Sequence, residues 1–188
     1  MKIAITGKMG SGKSHLCNYI VSNFKFGKTS FAKKVKELAV ELFDMQHKNR
    51  ALLIDFATKM RSIDKNVWIN AMLEESRLFH NIVVDDLRLS NEYEILKNKG
   101  WFLIKVKVDE NIRINRLKTK YGEDFINHLK FSDSITENDV VNYDDDKFDL
   151  VIDNCDSQNY DYLSEQIKSK LILEKIEKYN YKENLNKN

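Results

Sequence analysis

The stretch GKMGSGKS, residues 7–14, has the residue types and spacing of a phosphate-binding loop. It fits the pattern GxxxxGK[ST] with Gly7, Gly12, Lys13 and Ser14. Glycines let the backbone curl so that successive N–H groups bind phosphate oxygens, and the helix that follows adds its positive N-terminal end. Lys13 would reach the β- and γ-phosphates, and the Ser14 hydroxyl would hold Mg²⁺. The alternative is a glycine-rich turn without a ligand, but a position between a predicted strand and a predicted helix favours a nucleoside triphosphate site.

Arginines further along the chain bear on what the bound nucleotide is used for. The phosphate loop alone does not separate kinases from GTPases, helicases or switch ATPases, but the chain has no suitably placed NKxD motif and is short for a helicase. A small-molecule kinase needs cations around the acceptor phosphate and on an element that closes over the transferring group. Arg50, Arg61 and Arg88 fit the first need, because only guanidinium binds phosphate bidentately. Arg113 and Arg116 fit the second on one helix face, with a solvated surface as the alternative.

Two adjacent carboxylates follow a predicted buried strand in NIVVDDLR, residues 81–88. The carboxyl end of a strand is where an open α/β sheet binds ligands. Asp86, or alternatively Asp85, would organise Mg²⁺ through its water shell. The other interpretation is a cap for the next helix, a role that Ser90 or Asn91 would fill better. The sequence therefore predicts a metal-organising carboxylate, with the choice between the two open.

The composition limits the class of protein. A chain of 188 residues suffices for one α/β domain, and a hydrophobic content of 42% can fill its core. The net charge of +2 argues against binding of a nucleic acid polymer. We find no apolar run that could span a membrane and no signal peptide, and the distant Cys17 and Cys155 indicate reduced thiols. We therefore expect a cytoplasmic location without membrane contact.

Strands alternate with helices along the chain. Buried strands are predicted at 2–6, 28–31, 81–86, 101–108 and 148–154, and amphipathic helices lie between them. Gly100 and Gly122 are predicted to end two of the helices. Residues 123–146 are expected to be irregular, and a long terminal helix is expected at 157–179. The alternation predicts an α/β fold in three layers, with a central, mostly parallel five-stranded sheet and helices on both faces.

Several segments, in order, resemble the deoxynucleoside monophosphate kinases of phages and large DNA viruses, within the nucleoside monophosphate kinase fold. The phosphate loop is the one strong motif, and the weaker ones span most of the chain. They are TSFAKKVKELAVELF, RALLIDFATKMRSIDKNVWINAML, VVDDLRLSNEYEILKNKG, SDSITE with Thr136 in place of serine, and FDLVIDNCDSQNYDYL. The resemblance implies one P-loop kinase domain over residues 1–188. Its acceptor-binding helical insert would lie at about 44–80, its small helical lid at about 110–146 and a frayed tail at about 179–188.

The resemblance also implies roles for individual residues. Catalysis would rest on Lys13 with the lid arginines, Arg113 and Arg116. The ATP site would comprise Gly7, Lys8, Gly10, Ser11, Gly12, Lys13, Ser14, His15 and, beside the adenine, Asn154. The acceptor site would comprise Lys33, Arg50, Arg61, Trp68, Asp86, Arg88, Asp133 and Glu137. The Mg²⁺ site would comprise Ser14 and Asp86. Trp68 has a second interpretation as a core residue, because it shares helical spacing with Val67, Ala71 and Met72.

These observations lead to the hypothesis of an Mg²⁺-dependent kinase that phosphorylates a nucleoside monophosphate, most plausibly a deoxynucleotide, with ATP. The nearest alternatives are a dephospho-coenzyme A kinase and an animal-type phosphomevalonate kinase. An alternative of another class is a nucleotide sensor without catalysis. The resemblance makes a homodimer plausible, and the base specificity of the acceptor stays open.

Overall fold

A parallel sheet of five strands organises residues 2–155, which form one compact unit of the chain. The computed structural model describes residues 1–132, 139–154 and 160–172. The strands are β1 (Lys2–Thr6), β2 (Gly27–Thr29), β3 (Ile82–Val84), β4 (Phe102–Lys107) and β5 (Leu150–Asp153). They pair in the order β2-β3-β1-β4-β5, and every pair is parallel. This confirms the predicted α/β fold.

Helices connect the strands and cover both faces of the sheet. They are α1 (Lys13–Phe24), α2 (Phe31–Phe43), α3 (Arg50–Ile63), α4 (Val67–Ser76), α5 (Ser90–Asn98), α6 (Glu110–Tyr121) and α7 (Phe125–Ser132). Among the described residues, 3₁₀ turns lie at Gly122–Asp124, Val140–Asn142 and Asp145–Lys147. In the separate C-terminal unit, residues 161–172 form a final helix, α8. No described helix is both long enough and apolar enough to cross a membrane.

The apolar runs of the strands explain the layered core. Successive side chains of a strand point to opposite faces, so a strand that is covered on both sides must be apolar throughout. Ala4 packs with Met72 of α4 and Leu96 of α5 on one face, whereas Ile3 and Ile5 are fully buried on the other. The sheet is therefore the middle of three layers, and the carboxyl ends of its strands meet at one edge.

A smaller core joins helices α2, α3 and α4. Trp68 lies at its centre, 2% exposed, beside Val35 and Ala57. The indole Nε1 donates a hydrogen bond to the carbonyl oxygen of Ala57 at 3.1 Å, and the ring meets that of Phe56 edge-on at 5.7 Å. Trp68 therefore has the contacts of a core residue, which was its second interpretation, and we do not carry it into the acceptor site.

The prediction of an irregular segment at 123–146 is partly wrong, because α7 occupies Phe125–Ser132. The aromatic ring of Phe125 lies 5.4 Å below the Lys118 ammonium of α6, a contact between helices that single-sequence periodicity does not reveal. The strand expected at 28–31 lies at Gly27–Thr29 instead, because Phe31 already begins α2. Gly100 and Gly122 have positive φ next to helix ends, as predicted.

Replacement of Trp68 by Phe tests its placement in the core. The variant loses the hydrogen bond to Ala57 and part of the ring volume, so we expect a loss of about 1–3 kcal/mol in the free energy of unfolding, measured with urea. Ile63→Ala on α3, where the side chain is 80% exposed, is the control and should change stability by less than about 0.5 kcal/mol. Unchanged stability in Trp68→Phe would contradict this placement.

Candidate active site

The phosphate loop connects β1 to α1 at the carboxyl edge of the sheet. Gly10 and Gly12 have φ values of 86° and 99°, a region that L side chains rarely adopt. A Cβ atom at Gly12 would also lie 2.1 Å from Nδ2 of Asn154, so only glycine fits that position. The Lys13 ammonium donates hydrogen bonds to the carbonyl oxygens of Gly7 and, at 2.9 Å, Lys8. The charge of Lys13 is thus held against the loop by neutral groups.

Arg113 of α6 supports the phosphate loop from outside. Its guanidinium is 3% exposed and donates to the carbonyl oxygen of Met9 at 3.1 Å. It also forms two hydrogen bonds with the carboxylate of Glu110, at 2.9 and 2.6 Å. Glu110 in turn lies 3.7 Å from the ammonium of Lys8. Because a carboxylate already neutralises Arg113, its contacts are those of a residue that fixes the loop on α6.

Arg116, one turn further along α6, has a different environment. Its Nη2 donates to the carbonyl oxygen of Asn154 at 2.8 Å, and the Asn154 side-chain amide donates to the carbonyl oxygen of Ser11, also at 2.8 Å. Within the described part of the chain, three buried polar atoms of this cluster have no hydrogen-bond partner: Arg116 Nη1, Asn154 Oδ1 and Ser11 Oγ. Buried polar atoms without a partner are unfavourable, so this cluster is suited to a polar ligand.

Arg116 also borders an open groove along α6. The groove has a volume of about 410 Å³, and the described residues that line it are Ile112, Asn115, Arg116, Thr119 and Lys120. An apolar side chain, an arginine plane and two small polar groups are the kinds of surface against which a nucleotide base can stack and hydrogen-bond. The face of α6 that carries Arg116 therefore offers both positive charge and a surface of the size of a nucleotide base.

A second group of cations includes Arg61, near the end of α3, and Arg88, which follows β3. Burial lowers the pKa of the Arg61 guanidinium, the charge of Glu92 raises it, and the charge of Arg88 lowers it. Arg61 and Arg88 are thus within electrostatic range of each other. Two predicted acceptor-site arginines from distant parts of the sequence are brought together.

Lys48 extends this group and was missed by the sequence analysis. Burial lowers the pKa of its ammonium first, and four further cations, Arg50, Lys36, Arg88 and Lys120, lower it in turn. The sequence signal for Lys48 was the run HKNR at residues 47–50. Asn49 is the N-cap of α3, so Lys48 lies two residues before Arg50, the first residue of that helix. Positive charges that converge in this way favour binding of an anion.

The two carboxylates after β3 have separate partners. Asp86 accepts hydrogen bonds from the backbone N–H groups of Phe31 and Ala32, both at 3.0 Å, so it caps the N-terminus of α2. Burial raises the pKa of Asp86, although these two bonds oppose the shift. Asp85 forms an ion pair with Lys28 at 3.1 Å. The expected capping role of Ser90 or Asn91 is wrong, because the cap of α5 is Leu89.

The donor types at the phosphate loop fit Mg²⁺, which prefers oxygen ligands. Ser14 lies exposed in the first turn of α1, and Asp85 and Asp86 lie at the end of the neighbouring strand β3. Each Asp86 oxygen accepts one backbone hydrogen bond, which leaves lone pairs for a metal-bound water. The described residues contain no group of three or more His, Cys, Asp or Glu that could hold a metal by itself. The Mg²⁺ site stays a prediction.

The remaining predicted site residues are placed as follows. Lys33, in the first turn of α2, is paired with Glu75 of α4 and lies 3.9 Å from Glu37. His15 is exposed in the first turn of α1, and Arg50 is the first residue of α3. Asp133 and Glu137 lie outside the described residues. Lys33 is thus already neutralised by two carboxylates.

Glu92 is the buried residue that the sequence analysis left without a role. It is 3% exposed, and its Oε2 accepts hydrogen bonds from the backbone N–H groups of Arg88 at 2.9 Å and Leu89 at 3.0 Å. Burial raises the pKa of Glu92 to about 7; Asp86 adds to this shift, whereas the two hydrogen bonds and Arg61 oppose it. A glutamate in the third position of α5 was visible in SNEYE, residues 90–94, as half of a capping box.

The geometry defines a P-loop protein whose five-stranded parallel sheet has the fold of P-loop kinases. A family model described as "AAA domain" matches residues 3–127, about two thirds of the chain, and the chain belongs to that family. A comparison with curated proteins finds no significant match.

Solved structures share this fold at low sequence identity. Shikimate kinase from Bacteroides thetaiotaomicron has a TM-score of 0.53 and 17% identity, covering 93% of this chain and 98% of its own. A candidate kinase from Chloroflexus aurantiacus has a TM-score of 0.55 and 10% identity, covering 90% and 94%. A protein from Eubacterium ventriosum has a TM-score of 0.53 and 16% identity, covering 90% and 97%. At these identities the likeness shows the fold and leaves the substrate open.

The raised pKa of Glu92 predicts a specific pH dependence of stability. The pKa rises from an ordinary 4.5 in the unfolded chain to about 7 in the folded one, so the folded state retains the proton between these values. This contribution to stability is complete below pH 4.5 and is lost as the pH rises through about 7. Glu92→Gln cannot ionise and should become more stable relative to wild type by about 2–3 kcal/mol between pH 5 and pH 8.

Urea unfolding of wild type and Glu92→Gln at both pH values measures this change. Asp86, Arg61 and Arg88 face Glu92 and are present in both proteins, so the comparison removes their own contributions. Glu94→Gln, on the exposed side of α5, is the control and should track wild type at both pH values. A difference between wild type and Glu92→Gln that does not change with pH would contradict the raised pKa.

Proposed function

We propose that this protein is a phosphotransferase that moves the γ-phosphate of ATP to a nucleoside monophosphate, with a deoxynucleotide as the favoured acceptor. The observation that carries the proposal is that two cationic sites lie at the same edge of the sheet. The phosphate loop follows β1 and the segment with Arg88 follows β3, and these strands are parallel neighbours with Ala4 opposite Val84. Ligands of open α/β sheets bind at this edge, where the strand order reverses.

In the proposed reaction, a phosphate oxygen of the acceptor attacks the γ-phosphorus of ATP, the bond to the β–γ bridging oxygen breaks, and ADP leaves. The protein needs to align the two phosphates and neutralise their charge, and it needs no covalent nucleophile. Lys13 and the backbone N–H groups of the loop would hold the β- and γ-phosphates, and Arg116 would stabilise charge on the transferring group. Bound Mg²⁺, near Ser14 and the carboxylates after β3, would add further neutralisation.

The acceptor side supports a phosphorylated substrate. Arg61, Arg88, Arg50 and Lys48 contribute positive charge from three separate parts of the chain. A convergence of like charges favours a phosphate dianion over a neutral acceptor. The resemblance of residues 83–100 and the neighbouring segments to deoxynucleoside monophosphate kinases supports a nucleotide as the carrier of that phosphate. The homodimer that this resemblance makes plausible is part of the same proposal.

The test is ADP release from ATP and Mg²⁺ with single additions of dTMP, dGMP, dCMP, dAMP, their ribonucleotide counterparts, dephospho-coenzyme A and phosphomevalonate. We expect at least one deoxynucleotide to stimulate release strongly, and Lys13→Ala to lose nearly all of this stimulation. Lys34→Ala, an exposed cation of α2, is the matched control and should retain it. If only dephospho-coenzyme A or phosphomevalonate stimulates release, that compound and not a nucleoside monophosphate is the acceptor. ATP binding without any stimulation would favour a nucleotide sensor.

The two arginines of α6 should respond differently to replacement by alanine. Arg116→Ala removes a donor that lacks a carboxylate partner, so kcat should fall by about 100-fold or more. Arg113→Ala removes the support of the loop and should lower the free energy of unfolding by about 1–2 kcal/mol. Lys118→Ala, an exposed cation of the same helix, is the control. Equal effects of the two arginine variants on kcat would contradict this division.

A further inference from the structure

Four consecutive backbone N–H groups between β3 and the start of α5, at residues 87–90, have assigned hydrogen bonds. Leu87 donates to the carbonyl oxygen of Ile5 in β1 at 3.3 Å. Arg88 and Leu89 both donate to Glu92 Oε2, and Ser90 donates to Asp139 Oδ2 at 2.7 Å. Four consecutive donors are therefore fixed, two of them by one side-chain oxygen. This short segment has one defined conformation, although it lies outside regular secondary structure.

Acceptors and side chains fix the same segment from other directions. The carbonyl oxygen of Arg88 accepts from the backbone N–H of Val140 at 3.0 Å, and Val140 is fully buried. Asp86 is tied to the N-terminus of α2 through its two backbone hydrogen bonds. The main chain of Arg88 is thus held at both of its polar groups, by Glu92 at the N–H and by Val140 at the C=O.

The surroundings of Glu92 connect it to the acceptor side. It anchors the main chain of Arg88 and lies within electrostatic range of Arg61. Both are acceptor-site arginines of the proposed function, and their guanidinium groups repel each other.

We propose that Glu92 is the positioning residue of the acceptor-phosphate site: by holding the main chain of Arg88 and Leu89 with one oxygen, it sets where the Arg88 guanidinium meets the acceptor phosphate beside Arg61. The inference rests on the proposed function. Glu92 itself does not touch the acceptor and acts through Arg88. The ligand class of the site that it organises is a phosphate dianion on a small acceptor.

Two conservative variants of Glu92 separate the effect of where its side-chain oxygen lies from the effect of its charge. Glu92→Gln keeps an oxygen at the same distance along the side chain and loses the charge. Glu92→Asp keeps the charge, but we expect its shorter side chain to lose at least one of the two backbone hydrogen bonds. Glu94→Gln on the exposed side of α5 is the matched control, since it removes one charge from the same helix.

The measurement is KM for the stimulating nucleoside monophosphate, KM for ATP, and kcat, for wild type and the three variants. We expect Glu92→Asp to raise the acceptor KM about tenfold with ATP KM and kcat within about twofold, because an acceptor contact made equally in ground and transition states appears in KM. Glu92→Gln and Glu94→Gln should keep all three constants within about threefold of wild type. A merely structural role would change ATP KM and kcat as well.

Other outcomes overturn the inference. If Glu92→Asp behaves as wild type and Glu92→Gln does not, charge and not position is the contribution of Glu92. If both variants match wild type, or if both change ATP KM and kcat together with acceptor KM, Glu92 has no specific role toward the acceptor.

Failure of the proposed function is recognised separately, because wild type would then show no acceptor-stimulated turnover. In that case the same variants are titrated with inorganic phosphate in the presence of saturating ADP and Mg²⁺, which occupy the phosphate loop. Weaker phosphate binding in Glu92→Asp alone supports the positioning role. Equal binding in all variants, or no binding by wild type, overturns it.

Discussion

The constraint on which the structure depends is that positive charge must be held at one edge of the sheet without being neutralised by the protein's own carboxylates. The contacts of the cations divide them into two groups. Arg113, Lys28 and Lys33 are paired with Glu110, Asp85 and Glu75, and their charge is largely compensated. Lys13 and Arg116 donate instead to backbone carbonyl oxygens, which are neutral and fix the side chains without adding a negative charge. The division between supporting and binding cations therefore follows from the kind of acceptor that each one has.

The same constraint explains why carboxylates near the acceptor side face backbone N–H groups. Asp86 and Glu92 lie close to Arg88 and Arg61, where a direct ion pair would remove the charge that an acceptor phosphate needs. Each carboxylate is satisfied by two main-chain donors instead, at the N-terminus of α2 and of α5 respectively. A helix N-terminus favours negative charge, so both carboxylates lie where the main chain stabilises them.

The sequence was sufficient for features that local rules determine. The phosphate loop has a fixed spacing, and strands that are apolar on both faces identify a parallel sheet, so both were predicted correctly. The sequence was insufficient for features that depend on tertiary contacts. Arg113 and Arg116 look equivalent at a spacing of three, and only the positions of Glu110, Met9 and Asn154 distinguish them. Trp68 could be assigned to the core only once Ala57 and Phe56 were seen around it.

The cluster of Arg116, Asn154 and Ser11 connects the phosphate loop to two distant parts of the chain. Asn154 lies against Gly12, donates to Ser11 and accepts from Arg116, so it ties β5 and α6 to the loop through one side chain and one peptide unit. The arrangement leaves three buried polar atoms without partners among the described residues, which is unfavourable in the absence of a ligand. A bound nucleotide that satisfies even one of them relieves a penalty that the folded protein already carries. The phosphate loop is thus preorganised by Asn154, which follows β5, and by α6, and a motif search centred on residues 7–14 includes neither.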